Sequence, residues 1–112
     1  MPWILDPHSE GVKIPPDLFD SLIARAEAYQ AARPSQGKSQ LKLRFRNQFC
    51  YLDALEDGKM CPLGRLRYFS PDRWSVAFFT YSNERYQPCL LANGEWWGSF
   101  EEALDVCAVY LV

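Results

Sequence analysis

The run Leu41-Lys42-Leu43-Arg44-Phe45-Arg46 alternates apolar and cationic side chains, and Arg65-Leu66-Arg67-Tyr68 repeats the pattern further along. Successive side chains of a strand point to opposite faces, so each run sets cations on one face and apolar groups on the other. The stretch Trp74-Ser75-Val76-Ala77-Phe78-Phe79-Thr80-Tyr81 follows, with bulky groups on both faces. A period of two across residues 41–81 therefore predicts an antiparallel sheet, packed on one face and solvated on part of the other.

Read as a single strand bent near Asn47, residues 41–54 place positions 41, 43, 45, 49 and 51 on one apolar face. The opposite face reads Lys42, Arg44, Arg46, Gln48, then Cys50, Leu52 and Ala54. Glu56-Asp57-Gly58-Lys59 is a turn signal. Strands are expected near 64–69 and 74–81, joined by the turn Ser70-Pro71-Asp72-Arg73. Residues 86–91 form a further strand, which Pro88 confines to an edge. Asn93-Gly94 predicts a tight hairpin that returns the chain through Glu95-Trp96-Trp97.

Helices flank this region. Residues 1–14 read as an irregular arm, and Pro15-Pro16 opens a helix with Asp17 and Asp20 near its positive end. Leu18, Leu22, Ala26 and Tyr29, with Phe19 and Ile23 beside them, make its apolar stripe. Pro34 and Gly37 end it, leaving 34–39 as a linker loop. Near the C-terminus Ser99-Phe100-Glu101-Glu102 fits a capping box, and Phe100, Leu104, Cys107 and Leu111 share a helical face. The apolar run Val106–Val112 makes that helix apolar all round, and such a helix is buried all round. The expected cover is a second subunit; the alternative is a C-terminal strand inserted in the sheet. The expected fold is α+β, an antiparallel sheet of about four to five strands flanked by an N-terminal and a C-terminal helix, in one domain over residues 1–112.

Composition narrows the function. Aromatic residues make up 15% of the 112 residues, so large rings build the core or a binding surface. The net charge of −2 divides unevenly: −2 over residues 1–37, +4 over 38–73 and −4 over 74–112. An acidic chain is a poor general nucleic-acid binder, because non-specific affinity comes from neutralising phosphates. Cys50, Cys61, Cys89 and Cys107 form no C-x-x-C pair, and His8 is the single imidazole, so neither a structural zinc nor any cofactor is expected. Without a secretory signal or a membrane-length apolar run, the expectation is a cytoplasmic protein with reduced thiols and no membrane contact.

The candidate site is a sheet face. If the two basic strands lie near one another, Arg44, Arg46, Arg65 and Arg67 line it together, and planar guanidiniums suit phosphate or carboxylate ligands. Tyr68, Trp74, Tyr81, Trp96 and Trp97 are the aromatic candidates beside them. Bases stacked on such rings, with arginines on phosphates, would make a single-strand binding surface. The bland alternative is a solvated arginine face whose cations pair with acidic side chains, the acidic final third among them. Glu101 and Asp105, four apart on one helix face, are candidate acid–base or cation ligands, though acidic residues in a first helical turn also answer the helix dipole. No nucleophile elbow, glycine-rich phosphate loop or H-E-x-x-H stands in the chain.

Pro62–Phe69, Trp74–Cys89 and Gly94–Gly98 with Glu102–Asp105 resemble a block in short, uncharacterised bacterial proteins. The resemblance covers roughly the C-terminal half and implies a recurring small domain, with no activity and no catalytic residue attached. The order helix, strands, helix is also superficially similar to double-stranded-RNA-binding domains. Those carry basic residues where Glu101 and Glu102 stand, so that function does not transfer. The residues thus predict a non-enzymatic homo-oligomer, a dimer, that binds a small or anionic ligand or a protein partner through its aromatic and arginine face. Single-stranded nucleic acid through the four arginines is the alternative, and a small enzyme with an unrecognised site the distant one.

Overall fold

Asn47 decides how the basic run folds. It takes a left-handed backbone (φ 54°), a conformation asparagine tolerates, and with Gln48 it makes a two-residue turn. The expected single bent strand is therefore two: β1 (Gln40–Arg46) and β2 (Phe49–Glu56), paired antiparallel with Arg46 opposite Phe49. Cross-strand partners share a face, so the turn moves Phe49 and Tyr51 onto the arginine side and Cys50 and Leu52 onto the apolar side.

The remaining strands continue the meander. Asp57-Gly58, both at positive φ, turns the chain into β3 (Lys59–Ser70); β4 (Arg73–Thr80) and β5 (Arg85–Cys89) follow. The order is β1-β2-β3-β4-β5, all neighbours antiparallel, with a register shift at Leu52/Asp53 that leaves Leu63 as the extra residue. A single 3-10 turn (Pro16–Leu18) leads into α1 (Phe19–Ala31), and α2 spans Phe100–Cys107. This is the expected α+β arrangement in a computed structural model, which describes residues 11–32 and 40–107. Of the expected arm, residues 11–14 are irregular, and residues 1–10 lie outside those described.

Both helices cover the same sheet face. The core there contains Leu22 and Ala26 of α1, Cys50, Leu52, Leu66, Tyr68, Trp74 and Val76 of the sheet, and Phe100, Leu104 and Cys107 of α2. Phe19 stacks on Phe45 at 4.2 Å between centroids, which seats α1 over β1. Ile23, expected in the stripe, is 38% exposed, because the buried positions Leu22 and Ala26 set the helix rotation. The C-terminal segment starts as a helix rather than a strand: Ser99 Oγ accepts from the Glu102 N–H and Glu102 Oε1 from the Ser99 N–H, the reciprocal capping box. Residues 108–112, on which the expected subunit interface rests, lie outside the described residues.

One expected hairpin does not form a strand. Asn93-Gly94 does turn, with Gly94 at φ 82°, but Asn93 Oδ1 accepts from the Glu95 N–H and Asn93 Nδ2 donates to the Trp97 carbonyl. The backbone groups a returning strand would offer to a ladder are spent inside the loop, and pairing is reduced to the Trp74–Gly98 bridge.

The two helices are clamped by four side chains at matching i, i+4 spacing. Arg25 holds Glu101 in a two-pronged ion pair, Nε to Oε2 at 2.8 Å and a terminal nitrogen to Oε1 at 2.6 Å. Tyr29 hydrogen-bonds Asp105. The hydrogen bond from Arg25 pulls the Glu101 carboxyl below its ordinary pKa. Stability from this pair is therefore present above about pH 4.5 and lost as pH falls through the lowered value. Both groups are partly solvated, so the loss is about 0.5–1 kcal/mol after screening. Urea titrations at neutral and acid pH should show a shallower acid decline for Glu101→Gln than for the parent chain; parallel declines would rule the pair out as its source.

Candidate functional site

The sheet face away from the helices collects the basic ladder. Arg44 stands opposite Tyr51, which stands opposite Arg65; Arg46, Phe49 and Arg67 form the next row. Each row therefore has a ring between two arginines, and this interleaving lets like charges share the face. The guanidiniums lie on the rings: Arg44 is 4.5 Å from the Tyr51 centroid, and Arg65 and Arg67 are 4.4 and 4.7 Å from that of Phe49. Arg65 also sits 5.1 Å from the Tyr86 ring, so it lies between β2 and β5 rings. A guanidinium laid flat on a ring keeps its N–H groups at the edge; Arg44 and Arg46 are exposed and Arg65 half-buried, whereas Arg67 is buried and has a partner within the fold.

Asp53 adds one buried anion to this face. It is 4% exposed and lies 3.4 Å from Arg44. Burial, reinforced by the charge of Asp53, raises the pKa of the Tyr86 phenol, which holds it in the neutral form. Phe79, Tyr81 and Tyr86 continue the face in edge-to-face contacts at 4.9 and 5.2 Å, and Tyr51 meets Tyr86 at 5.6 Å. The bulky groups of 74–81 thus have two covers: helices over Trp74 and Val76, and this ring cluster over Phe79.

Of the expected site residues, Arg44, Arg46, Arg65 and Arg67 come together on the open face, and Tyr81 borders it with 58% of its surface exposed. Tyr81 donates its hydroxyl proton to the Pro62 carbonyl at 2.7 Å. Tyr68 and Trp74 do not belong there. They alternate with Arg67 and Ser75, so the pleat aims them under the helices, where they are 5% and 0% exposed. Trp97 lies between Phe69 and Arg73, the Arg73 guanidinium 4.5 Å from its ring, and its Nε1 is buried with no hydrogen-bond partner among the described residues. Trp96 is 42% exposed on the 91–97 loop. Phe49, Tyr51 and Asp53 are the site residues that reading one strand through Asn47 hides, and Phe79 and Tyr86 join them from β4 and β5.

Three of the five anions of the acidic final third, those of α2, face away from the ladder. Glu101, Glu102 and Asp105 are engaged with Arg25, Ser99 and Tyr29 on the helix side of the sheet. All four cysteines are free thiols; burial raises Cys50, Cys89 and Cys107, which keeps them protonated. Among the described residues no group of His, Cys, Asp and Glu is arranged to hold a metal, and no helix is long and apolar enough to cross a membrane. No family model, curated protein or solved structure matches the chain.

Proposed function

We propose that this chain is a non-enzymatic binding domain whose open sheet face takes an extended anionic ligand. The observation that carries the reading is the pair of arginine–ring–arginine rows on the face without helices. Strands two apart in a sheet are separated by about 9–10 Å, and same-face residues along a strand by about 7 Å. A ligand with several phosphate or carboxylate groups at such spacings meets more than one guanidinium at once. The chain is acidic overall, yet the anions of α2 are occupied behind the sheet, so the local field at the face is positive.

Single-stranded nucleic acid stands behind this reading. Base stacking needs open ring faces, and the faces of Tyr51 and Phe49 already carry guanidiniums. Self-association through this face would set arginines against arginines, so a second copy is the poorer ligand for it.

Inorganic tripolyphosphate is a suitable probe, titrated calorimetrically at low and high salt. Binding should weaken steeply with salt, and Arg65→Ala should reduce affinity about tenfold through loss of one charge-assisted contact. Salt-independent binding, or an unchanged affinity in the variant, removes the reading. A homothymidine oligonucleotide that outcompetes tripolyphosphate at equal charge would transfer it to nucleic acid.

A further inference from the structure

A second surface follows from the backbone of β1. Its Leu41 N–H leaves the sheet altogether and donates to Gln30 Oε1 of α1 at 3.0 Å. Edge-strand amides alternate between the ladder and the outside, so Leu43 and Phe45 direct their N–H and C=O groups the same way, off the sheet. Neither has a hydrogen bond to another described segment on that side. The other edge differs: β5 is 5 residues long and contains Pro88, which offers no N–H. An edge of 7 residues without proline is a template for one more strand.

The side chains of β1 state what that strand must carry. Lys42, Arg44 and Arg46 are exposed on the open face, while Leu41, Leu43 and Phe45 are half-buried on the helix face, where Ile23 of α1 is exposed. A second copy pairing β1 with β1 would oppose three cations with three cations, an unfavourable arrangement in a cross-strand pair. An acidic partner reverses the sign at every one of those positions. We infer that the outer edge of β1 takes an extended segment of a partner protein as a sixth antiparallel strand, with acidic side chains at alternate positions facing Lys42, Arg44 and Arg46 and apolar ones between them. Main-chain bonds to Leu43 and Phe45 supply affinity, and the alternation supplies selectivity. This surface shares Arg44 and Arg46 with the open face but not Arg65, so Arg65→Ala separates the two.

The test uses the full chain and a fluorescein-labelled peptide as long as β1, alternating glutamate and valine. In the inferred register the valine amides face β1 and the glutamate amides face away. N-methylation of the valine amides should weaken binding about tenfold or more, and methylation of the glutamate amides about twofold at most. Slowed amide exchange at Leu43 and Phe45 in the complex is the second expected result, and a lysine–valine peptide should not bind. Equal loss with both methylation patterns, no saturable binding by about 1 mM, or a dimer mass in place of a peptide complex overturns the inference. A peptide indifferent to methylation but weakened by Arg65→Ala is lying on the sheet face; that outcome rejects the edge and keeps the face.

Discussion

Trp74→Ala is expected to lower the unfolding free energy by about 3–5 kcal/mol, the range for removing a buried indole. The ring has no exposed surface and lies between Tyr68 and Phe100, 5.0 and 5.2 Å from their centroids. It joins the sheet to α2, and its Nε1 also donates to the Pro71 carbonyl at 3.0 Å, which fixes the turn between β3 and β4. Truncation would remove all three roles and leave a cavity whose lining is held by other strands. A domain of this length has about 5–15 kcal/mol of total stability, so the variant should melt about 15 °C or more below the parent. Tyr81→Ala, at an exposed ring, should cost about 1 kcal/mol or less. Comparable losses in the two variants would mean that Trp74 is not the centre of the core.

Trp74 also shows where sequence reasoning stops. Its neighbours Ser75, Val76 and Ala77 fit either face, and by sequence alone an aromatic beside arginines reads as a ligand contact. Parity with Arg67 settles the matter only once the β3–β4 register is known, because Tyr68 opposite Trp74 fixes which face both enter. The ring partners of the arginines were hidden for a related reason. Residues 41–51 keep a period of two whether or not the chain reverses at Asn47, but reversal exchanges the faces of every residue after it. The signal was Asn47 itself, a residue that tolerates positive φ, placed between a basic run and an aromatic one. By contrast the helix that begins at Ser99 was legible because its capping box is a local device. The Asn93-Gly94 turn was legible too, but the Asn93 side-chain bonds that kept Trp96 and Trp97 out of the sheet were not.

The sheet separates its charges by face, and this gives the two proposed surfaces a common basis. Glu101 and Asp105 of α2 are matched to Arg25 and Tyr29 of α1, whereas the open face carries five cations, Lys42, Arg44, Arg46, Arg65 and Arg67, and the buried carboxylate of Asp53. Pairing between the acidic and basic thirds would have discharged the ladder within the fold. Helices confined to one side prevent it, so net charge misrepresents what an approaching anion meets.

Gly64→Ala is the second large effect expected. Gly64 sits within β3, opposite Leu52 and Phe78, with its missing side chain directed under α2. A Cβ there would overlap Cys107 Sγ and stand 2.8 Å from the Ala77 carbonyl oxygen, both inside van der Waals contact. Cys107 has no exposed surface into which to turn, and the carbonyl belongs to the neighbouring strand, so the helix or the sheet must shift. Such overpacking costs about 3 kcal/mol. The close approach explains a glycine inside a central strand, where it would otherwise only weaken pairing. Cys107→Ala removes the sulfur but not the carbonyl, so the double variant should recover part of the loss, with a coupling of about 1 kcal/mol or more between the two positions. Urea denaturation of the four chains measures it. Additive losses would mean that Gly64 is required by the backbone of β3 rather than by the seat of α2.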